Sequence, residues 1–303
     1  MMTRTSSSLP KVSVCVITYN QVGYLATCLQ SIVDQKTNFS FEIIVGDDCS
    51  TDGTQKILRA FAARYKEIIR PIYQTVNTGG GPNHIAVHAA ARGDYIAHID
   101  GDDYALPGKL QKQADYLDAH PECNIVWHRV GRQRDGEDPC WPKELGVVKP
   151  LYFTKGDCLA LGSVAVHSSK MYRASLRVDY FDLIKYQYDY ELDLLQIGDR
   201  IGTVLPDILG VYRIVGGGLS SISHNPSWRM LNGVLAEYYQ SEPHYRGQVS
   251  SLLLMLAIVD VKNRRAYKWL SIKNYISNFS VSSVYYLFKY ARRRRQLRDW
   301  MRT

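Results

Sequence analysis

The sequence predicts an α/β fold: a mostly parallel, Rossmann-like sheet flanked by helices, with a helical extension at the C-terminus. Three observations carry that expectation. From Val12 to His128, β-favouring runs alternate with segments of helical spacing, the pattern of right-handed βαβ units. Three runs end in polar clusters, Thr18-Tyr19-Asn20, Asp47-Asp48 and Asp100-Gly101-Asp102-Asp103. A parallel sheet gathers such ends at one rim, where its ligands bind. After Pro226 the pattern is helical to the end.

Val12 to Thr18 is almost continuously apolar, as in a strand buried on both faces, and Tyr19-Asn20-Gln21 breaks it. Between Tyr24 and Asp34, the residues Leu25, Cys28, Leu29 and Ile32 share one helical face. Phe41 to Gly46 is a second strand, and Ser50-Thr51-Asp52-Gly53 offers N-caps for a helix marked by Ile57, Leu58, Phe61 and Ala62. Ile68 to Gln74 is a third strand, made short or peripheral by Pro71. Asn77 to Asn83 reads as a flexible loop, Ile85 to Ala91 as a helix closed by Gly93, and Tyr95 to Ile99 as a fourth strand. Pro107 suits a helix first turn, continued from Leu110 to His120, and Asn124 to His128 is a fifth strand.

Beyond this the signals thin. Gln133 to Lys149 reads as a loop able to cover a site, Asp157 as the cap of a short helix through Leu161, and Ser163 to His167 as a strand. Tyr186-Gln187-Tyr188-Asp189-Tyr190-Glu191 leads into a helix ended by Gly198; Ile201–Leu205 and Leu209–Ile214 read as strands. Gly216-Gly217-Gly218 is a mobile segment before Leu219-Ser220-Ser221.

The acidic turn carries the chemistry. Asp100 and Asp102, two apart, tend to the same side of a strand, and Gly101 permits a tight turn between them. Crowded carboxylates resist ionising together. A divalent cation relieves the conflict, and all-oxygen ligands suit Mn²⁺ or Mg²⁺, which complete their shells with phosphate and water. The motif alone reads equally as an acidic surface turn. His84, His88, His98 and His128 lack ligand spacing; a helix face packed on the sheet explains His84 and His88 better than zinc.

Composition excludes other classes. The 303 residues are 46% hydrophobic and 22% charged, an ordinary globular balance. The longest apolar run, Leu252 to Val259, is too short to span a bilayer, and Met1 to Pro10 is expected to be a disordered terminus, not a secretory signal. Six scattered cysteines without a CxxC pair point to reduced thiols. The formal charge of +8 is concentrated at the C-terminus, where Lys289, Arg292, Arg293, Arg294, Arg295, Arg298 and Arg302 face Asp299 alone.

Taken in order, the segments Val14 to Asn20, Ile44 to Thr54, Gly93 to Asp103, Lys109 to Gln113 and Tyr188 to Leu192 resemble the family 2 glycosyltransferases of GT-A fold, over roughly residues 11 to 215. The resemblance implies a nucleotide-sugar-binding half at 11–130 and an acceptor-binding and catalytic half at 131–225; the helical pattern and basic charge make 226–303 a separate extension. It implies that Thr18, Tyr19, Asn20 and Asp48 contact the nucleotide, that Asp100, Gly101 and Asp102 form the DxD turn, and that Asp103 orients the metal or its waters. Asp189 matches the base of inverting members, although Tyr188 stands where many have Glu; Glu191 is its rival. Asn83 matches a donor-side asparagine loosely, and Arg213 matches a residue that closes over the diphosphate. The implied partners are a nucleotide-diphosphate sugar, UDP-linked by expectation, and a glycan or lipid-linked acceptor of surface polysaccharide synthesis.

The expected location is cytoplasmic, with 275–303, aromatic and then basic, as a candidate for lying on the inner face of an anionic membrane. Nucleic acid is the less favoured polyanion. Two other readings stay open: a nucleotidyltransferase, for which the glycine-rich basic loop after the first strand is missing, and a catalytically silent nucleotide-sugar or glycan-binding module.

Overall fold

The computed structural model describes residues 9–144, 148–177, 189–215, 226–265 and 267–301. Its described strands form one sheet of order β3-β2-β1-β4-β8-β6-β9-β5, with β7 paired to β9. β1 (Val12–Thr18) lies between β2 (Phe41–Asp47) and β4 (Tyr95–Asp100), and β3 (Ile69–Tyr73) forms the edge that Pro71 announced; these four are parallel. The second half is mixed. β8 (Met171–Arg173) runs antiparallel between β4 and β6 (Cys123–Arg134). β9 (Ile201–Ile214) is parallel to β6, while β5 (Tyr104–Ala105) and β7 (Leu151–Thr154) pair with it antiparallel. The sheet is therefore all parallel from β3 to β4 and mixed beyond it.

Side-chain alternation divides the core in two. Val12, Val14 and Val16 point to one face, under α1 (Leu25–Val33), α2 (Thr54–Arg64) and α4 (Lys109–Ala119). Cys15, Ile44 and Ile96 point to the other, covered by α3 (Gly80–Ala89), α5 (Lys155–Leu161), α6 (Asp189–Ile197), α7 (Pro226–Ser241) and α8 (Arg246–Lys262). The chain continues through α9 (Lys268–Ser277), α10 (Ser283–Lys289) and α11 (Ala291–Met301). These last helices are tied to the body of the sheet and its helices: the Tyr290 hydroxyl donates to Asp157 (3.0 Å), Arg294 to the Ala160 carbonyl (2.8 Å), and buried Arg129 to the Trp300 carbonyl (2.9 Å). No helix among the described residues is long and apolar enough to cross a membrane.

Several elements differ from the sequence reading for physical reasons. α3 begins at Gly80, inside the expected loop, because Pro82 falls in the first turn, where a missing N–H breaks no intrahelical bond. Pro107 lies just before α4 instead of in its first turn. Asp157 occupies the third helical position of α5; Thr154 is the cap, and the two form a reciprocal capping box. Ser163 to His167 is not a strand: the chain is irregular until a 3₁₀ turn at His167–Ser169, and pairing begins only at Met171. The two expected late strands are one, β9, continuing through Pro206 with register shifts against β6. Strand β6 runs on to Arg134, into the expected loop. Tyr186 to Tyr188, the Gly216–Gly218 segment and Leu219-Ser220-Ser221 lie outside the described residues.

Gly93 shows how tightly β4 enters the sheet. A Cβ there would meet the Ser13 nitrogen at 2.7 Å and the Val12 carbonyl carbon at 2.8 Å, backbone atoms that no rotamer change can move. Overpacking of this kind costs about 1–3 kcal/mol, occasionally more. Gly93→Ala is therefore expected to lower the unfolding free energy by that amount, seen as a lower urea midpoint at unchanged m-value; an unchanged midpoint would contradict this packing.

Candidate functional site

The carboxyl ends of β1, β2 and β4 meet at one rim. The first two loops are stitched together: the Asn20 N–H donates to Ser50 Oγ (2.9 Å), Thr51 N–H to Asn20 Oδ1 (2.8 Å), and Gln21 N–H to Thr54 Oγ1 (2.8 Å). Asn20 takes a left-handed φ of 50°, tolerable for Asn, and the Tyr19 ring stays exposed at the rim. Thr18 is buried, its hydroxyl donating to Gln21 Oε1 (2.8 Å).

Asp48 also stands on this rim, buried. One carboxylate oxygen accepts from the N–H and hydroxyl of Thr78 (2.8 and 2.9 Å), the other from the Gly79 N–H (2.7 Å), so it fixes the loop entering α3. Asn83 is not presented at the rim. Its buried amide donates to the Gly46 carbonyl (2.9 Å) and locks α3 onto β2.

At the end of β4 three carboxylates share one turn, closed by the Asp103 N–H on the Asp100 carbonyl (2.9 Å). Gly101 serves space here: a Cβ would meet Gln21 Oε1 at 2.4 Å and Thr18 at 2.9 Å. Asp100 is held at both oxygens, by the His98 ring (3.1 Å) and the Ser168 hydroxyl (3.0 Å), and burial raises its pKa. Burial and then the charge of Asp100 push Asp102 up to about 6. Asp103 is buried and its pKa is also raised; one oxygen accepts from the Arg213 N–H (2.7 Å) and the other has no partner. Arg213 closes the rim from β9, donating to the Asp102 carbonyl (2.9 Å), with its guanidinium 4.7 Å from the Tyr104 ring centroid.

Asp189 opens α6 across the cleft. Its side chain keeps 60% of its surface exposed, yet surrounding protein, then the charge of Asp100, raises its pKa to about 6, against the pull of Lys170. It is a carboxylate in a crowded cleft wall that water still reaches. Glu191, two positions on and so on another face of the helix, is buried.

Sequence reasoning missed the support behind these groups. Lys170 and Asp193 form a buried pair at 3.3 Å behind Asp189; burial lowers the Lys170 pKa and raises that of Asp193 to about 6. Asp193 was findable, since it lies one turn after Asp189 on an apolar helix; Lys170 carried no signal. The matched Lys109 and Gln113 prove to be buried. The Lys109 ammonium donates to the Ser168 carbonyl (3.1 Å) and contacts His128 Nε2 (2.8 Å), while Gln113 donates to the Ser169 carbonyl (2.8 Å). One turn apart on α4, they fix the segment that carries Ser168 to Asp100.

Known proteins resemble this chain in sequence and in fold. The model of the family described as Glycosyl transferase family 2 matches residues 13–180. The uncharacterized protein Mb1547 of Mycobacterium bovis is 32% identical over 256 residues, 82% of this chain and 68% of that protein. Staphylococcus aureus TarS, solved with UDP-GlcNAc, superposes with a TM-score of 0.67 at 20% identity, covering 96% of this chain and 89% of that one. The mannosyltransferase PcManGT of Pyrobaculum calidifontis, solved with GDP-Man and Mn²⁺, gives a TM-score of 0.57 at 16% identity, covering 97% and 84%. With its sheet of GT-A type and more than half its length matched by the family model, the chain belongs to glycosyltransferase family 2 and is a glycosyltransferase.

Proposed function

We propose that the protein is a metal-dependent, inverting glycosyltransferase that moves a sugar from a UDP-linked donor to a hydroxyl of a glycan or lipid-linked acceptor. The observation that carries this reading is the nearness of the Asp100–Asp103 turn to an open carboxylate at Asp189: His167 comes within 3.7 Å of Asp189 and packs at 4.3 Å on the His98 ring that holds Asp100. The residues present fit a divalent ion: the donors are carboxylate oxygens, and Asp103 keeps a buried oxygen without a partner. Asp102 and Asp100 would hold Mn²⁺ or Mg²⁺, with Asp103 orienting it. Such an ion, when bound, stabilises the negative charge that develops on a diphosphate leaving group.

The chain's own residues do the rest. Tyr19 and the Asn20–Ser50 stitch give a rigid floor for a nucleoside, and Asp48 shapes the wall beside it by holding Thr78 and Gly79. Arg213 sits where a diphosphate would add a second anionic partner. Asp189 takes the proton of the acceptor hydroxyl as it attacks opposite the leaving group; because it must be ionised to do so, the rate rises with pH through about 6.

Binding and catalysis separate these roles. A UDP-sugar with Mn²⁺ should raise the melting temperature of wild type and Asp189→Asn alike, while transfer falls about 10²–10⁴-fold in the variant and its acid limb near pH 6 disappears. Stabilisation without turnover in wild type would favour the silent binding module; no stabilisation by any nucleotide sugar would contradict the donor reading.

The C-terminal helices support an anionic membrane surface as the place of action. From Val261 to Arg298 there are eleven Lys/Arg and no acidic residue. Arg293 and Arg294 serve the fold, contacting Asp157 and Ala160, but Arg292, Arg295 and Arg298 are exposed. Beside them stand exposed Trp269 (72%), Ile276, Phe279, Val284 and Phe288 (73%), an apolar face rimmed by cations. The full chain should co-sediment with phosphatidylglycerol-containing vesicles and much less with neutral ones, and Trp269→Ser with Phe288→Ser should reduce binding severalfold at unchanged melting temperature. Equal sedimentation of the variant would remove this face from the account.

A further inference from the structure

Four buried histidines lie behind Asp100: His84 and His88 on α3, His98 on β4 and His167 in the 3₁₀ turn. Their rings are too close together to carry charge at once, His84 on His88 at 3.7 Å and His98 at 5.2 Å from His88 and 4.3 Å from His167, and burial lowers the pKa of each. A neutral imidazole has one donor and one acceptor nitrogen, and their arrangement is set by the partners.

Here the partners give a single direction. His98 Nε2 lies 3.1 Å from Asp100 Oδ1, and a carboxylate only accepts, so Nε2 carries the proton. His98 Nδ1 is then an acceptor, 3.0 Å from His88 Nε2, which must donate. His88 Nδ1 accepts in turn from the Tyr172 hydroxyl at 2.7 Å. Tyr172, His88, His98 and Asp100 form a chain with every hydrogen pointing toward Asp100. A metal among the same rings is a poorer description, although donor atoms of His84, His88 and His98 lie within 4.8 Å. The His84 and His88 rings stack 3.7 Å apart at 20°, so their lone pairs run side by side without converging as short metal–nitrogen bonds require.

We propose that His98 is a positioning residue for Asp100, and that His88 and Tyr172 fix the ring tautomer that lets it act. The Ser168 hydroxyl holds the other Asp100 oxygen, so the two donors together set the plane of the carboxylate that faces Asp102. With the His98 donor removed, Asp100 can turn about its side-chain bonds and the oxygen set of the turn loosens. This inference rests on the proposed metal role of Asp100.

Calorimetric titration of Mn²⁺ into the full chain with saturating UDP tests it, alongside melting temperature. His98→Phe should weaken Mn²⁺ binding about ten- to hundredfold, as loss of a group that orients a ligand does. His98→Gln, which keeps an N–H at similar reach, should restore most of the affinity. Tyr172→Phe, which preserves the packing but frees the tautomers, should weaken it severalfold, and carries the test if His98→Phe does not fold. Unchanged Mn²⁺ affinity in His98→Phe with only a lowered melting temperature, beside a clear loss in Asp100→Asn, overturns the proposal and leaves the metal reading standing. Unchanged affinity in Asp100→Asn overturns both.

Discussion

The structure depends on keeping three like charges together at the end of one strand. Asp100, Asp102 and Asp103 lie in a single turn; burial raises the pKa of each, and the charge of Asp100 raises Asp102 and Asp103 further. Among the described residues no lysine or arginine side chain forms an ion pair with them, although Lys170 favours the charged form of Asp100 from a distance. Arg213 approaches through the Asp102 carbonyl and its own backbone N–H, and Asp100 is held by two neutral donors. The turn thus holds three carboxylates short of positive charge, an arrangement that a cation would relieve.

That incompleteness is tolerable because the surroundings are rigid. The segment His167–Lys170 is the common support. Ser168 reaches Asp100, Lys170 pairs with Asp193 on the helix that Asp189 opens, and His167 comes within 3.7 Å of Asp189. The same segment is pinned from behind by Lys109 and Gln113. The carboxylates on either side of the cleft therefore share one short, buried anchor, and their spacing follows from the packing of α4 and β8 against β4. The mixed half of the sheet exists to bring this anchor to the parallel half.

Legibility in the sequence followed the range of the interactions. β1, β2 and β4 were readable because a strand buried on both faces must be apolar throughout, and the acidic turn because three aspartates and a glycine after such a strand are conspicuous. The failures lie where distant partners decide. β8 is three residues long and exists only because β4 and β6 flank it; Ser163 to His167 had the better strand composition but no partner. Pro206 suggested a break in β9, yet β6 carries the ladder past it by shifting register. Within the site, Asp48 and the Asp100–Asp103 turn stood out by local pattern and Asp189 by the family resemblance, whereas Ser168, Lys170 and the ordered histidine chain appear only once the chain is folded. Asn83 looked like a loop residue because the glycines before it hid the start of α3.

The central claim is that the Asp100–Asp103 turn grips a divalent ion together with a nucleoside diphosphate. The most direct test is a crystal of the full chain grown with UDP and Mn²⁺, with anomalous data collected at the manganese edge. The account predicts one strong peak between the Asp102 carboxylate and the diphosphate, with the uridine beside Tyr19. Ordered UDP with no peak at this turn, or a peak bound by the buried histidines instead, would contradict it.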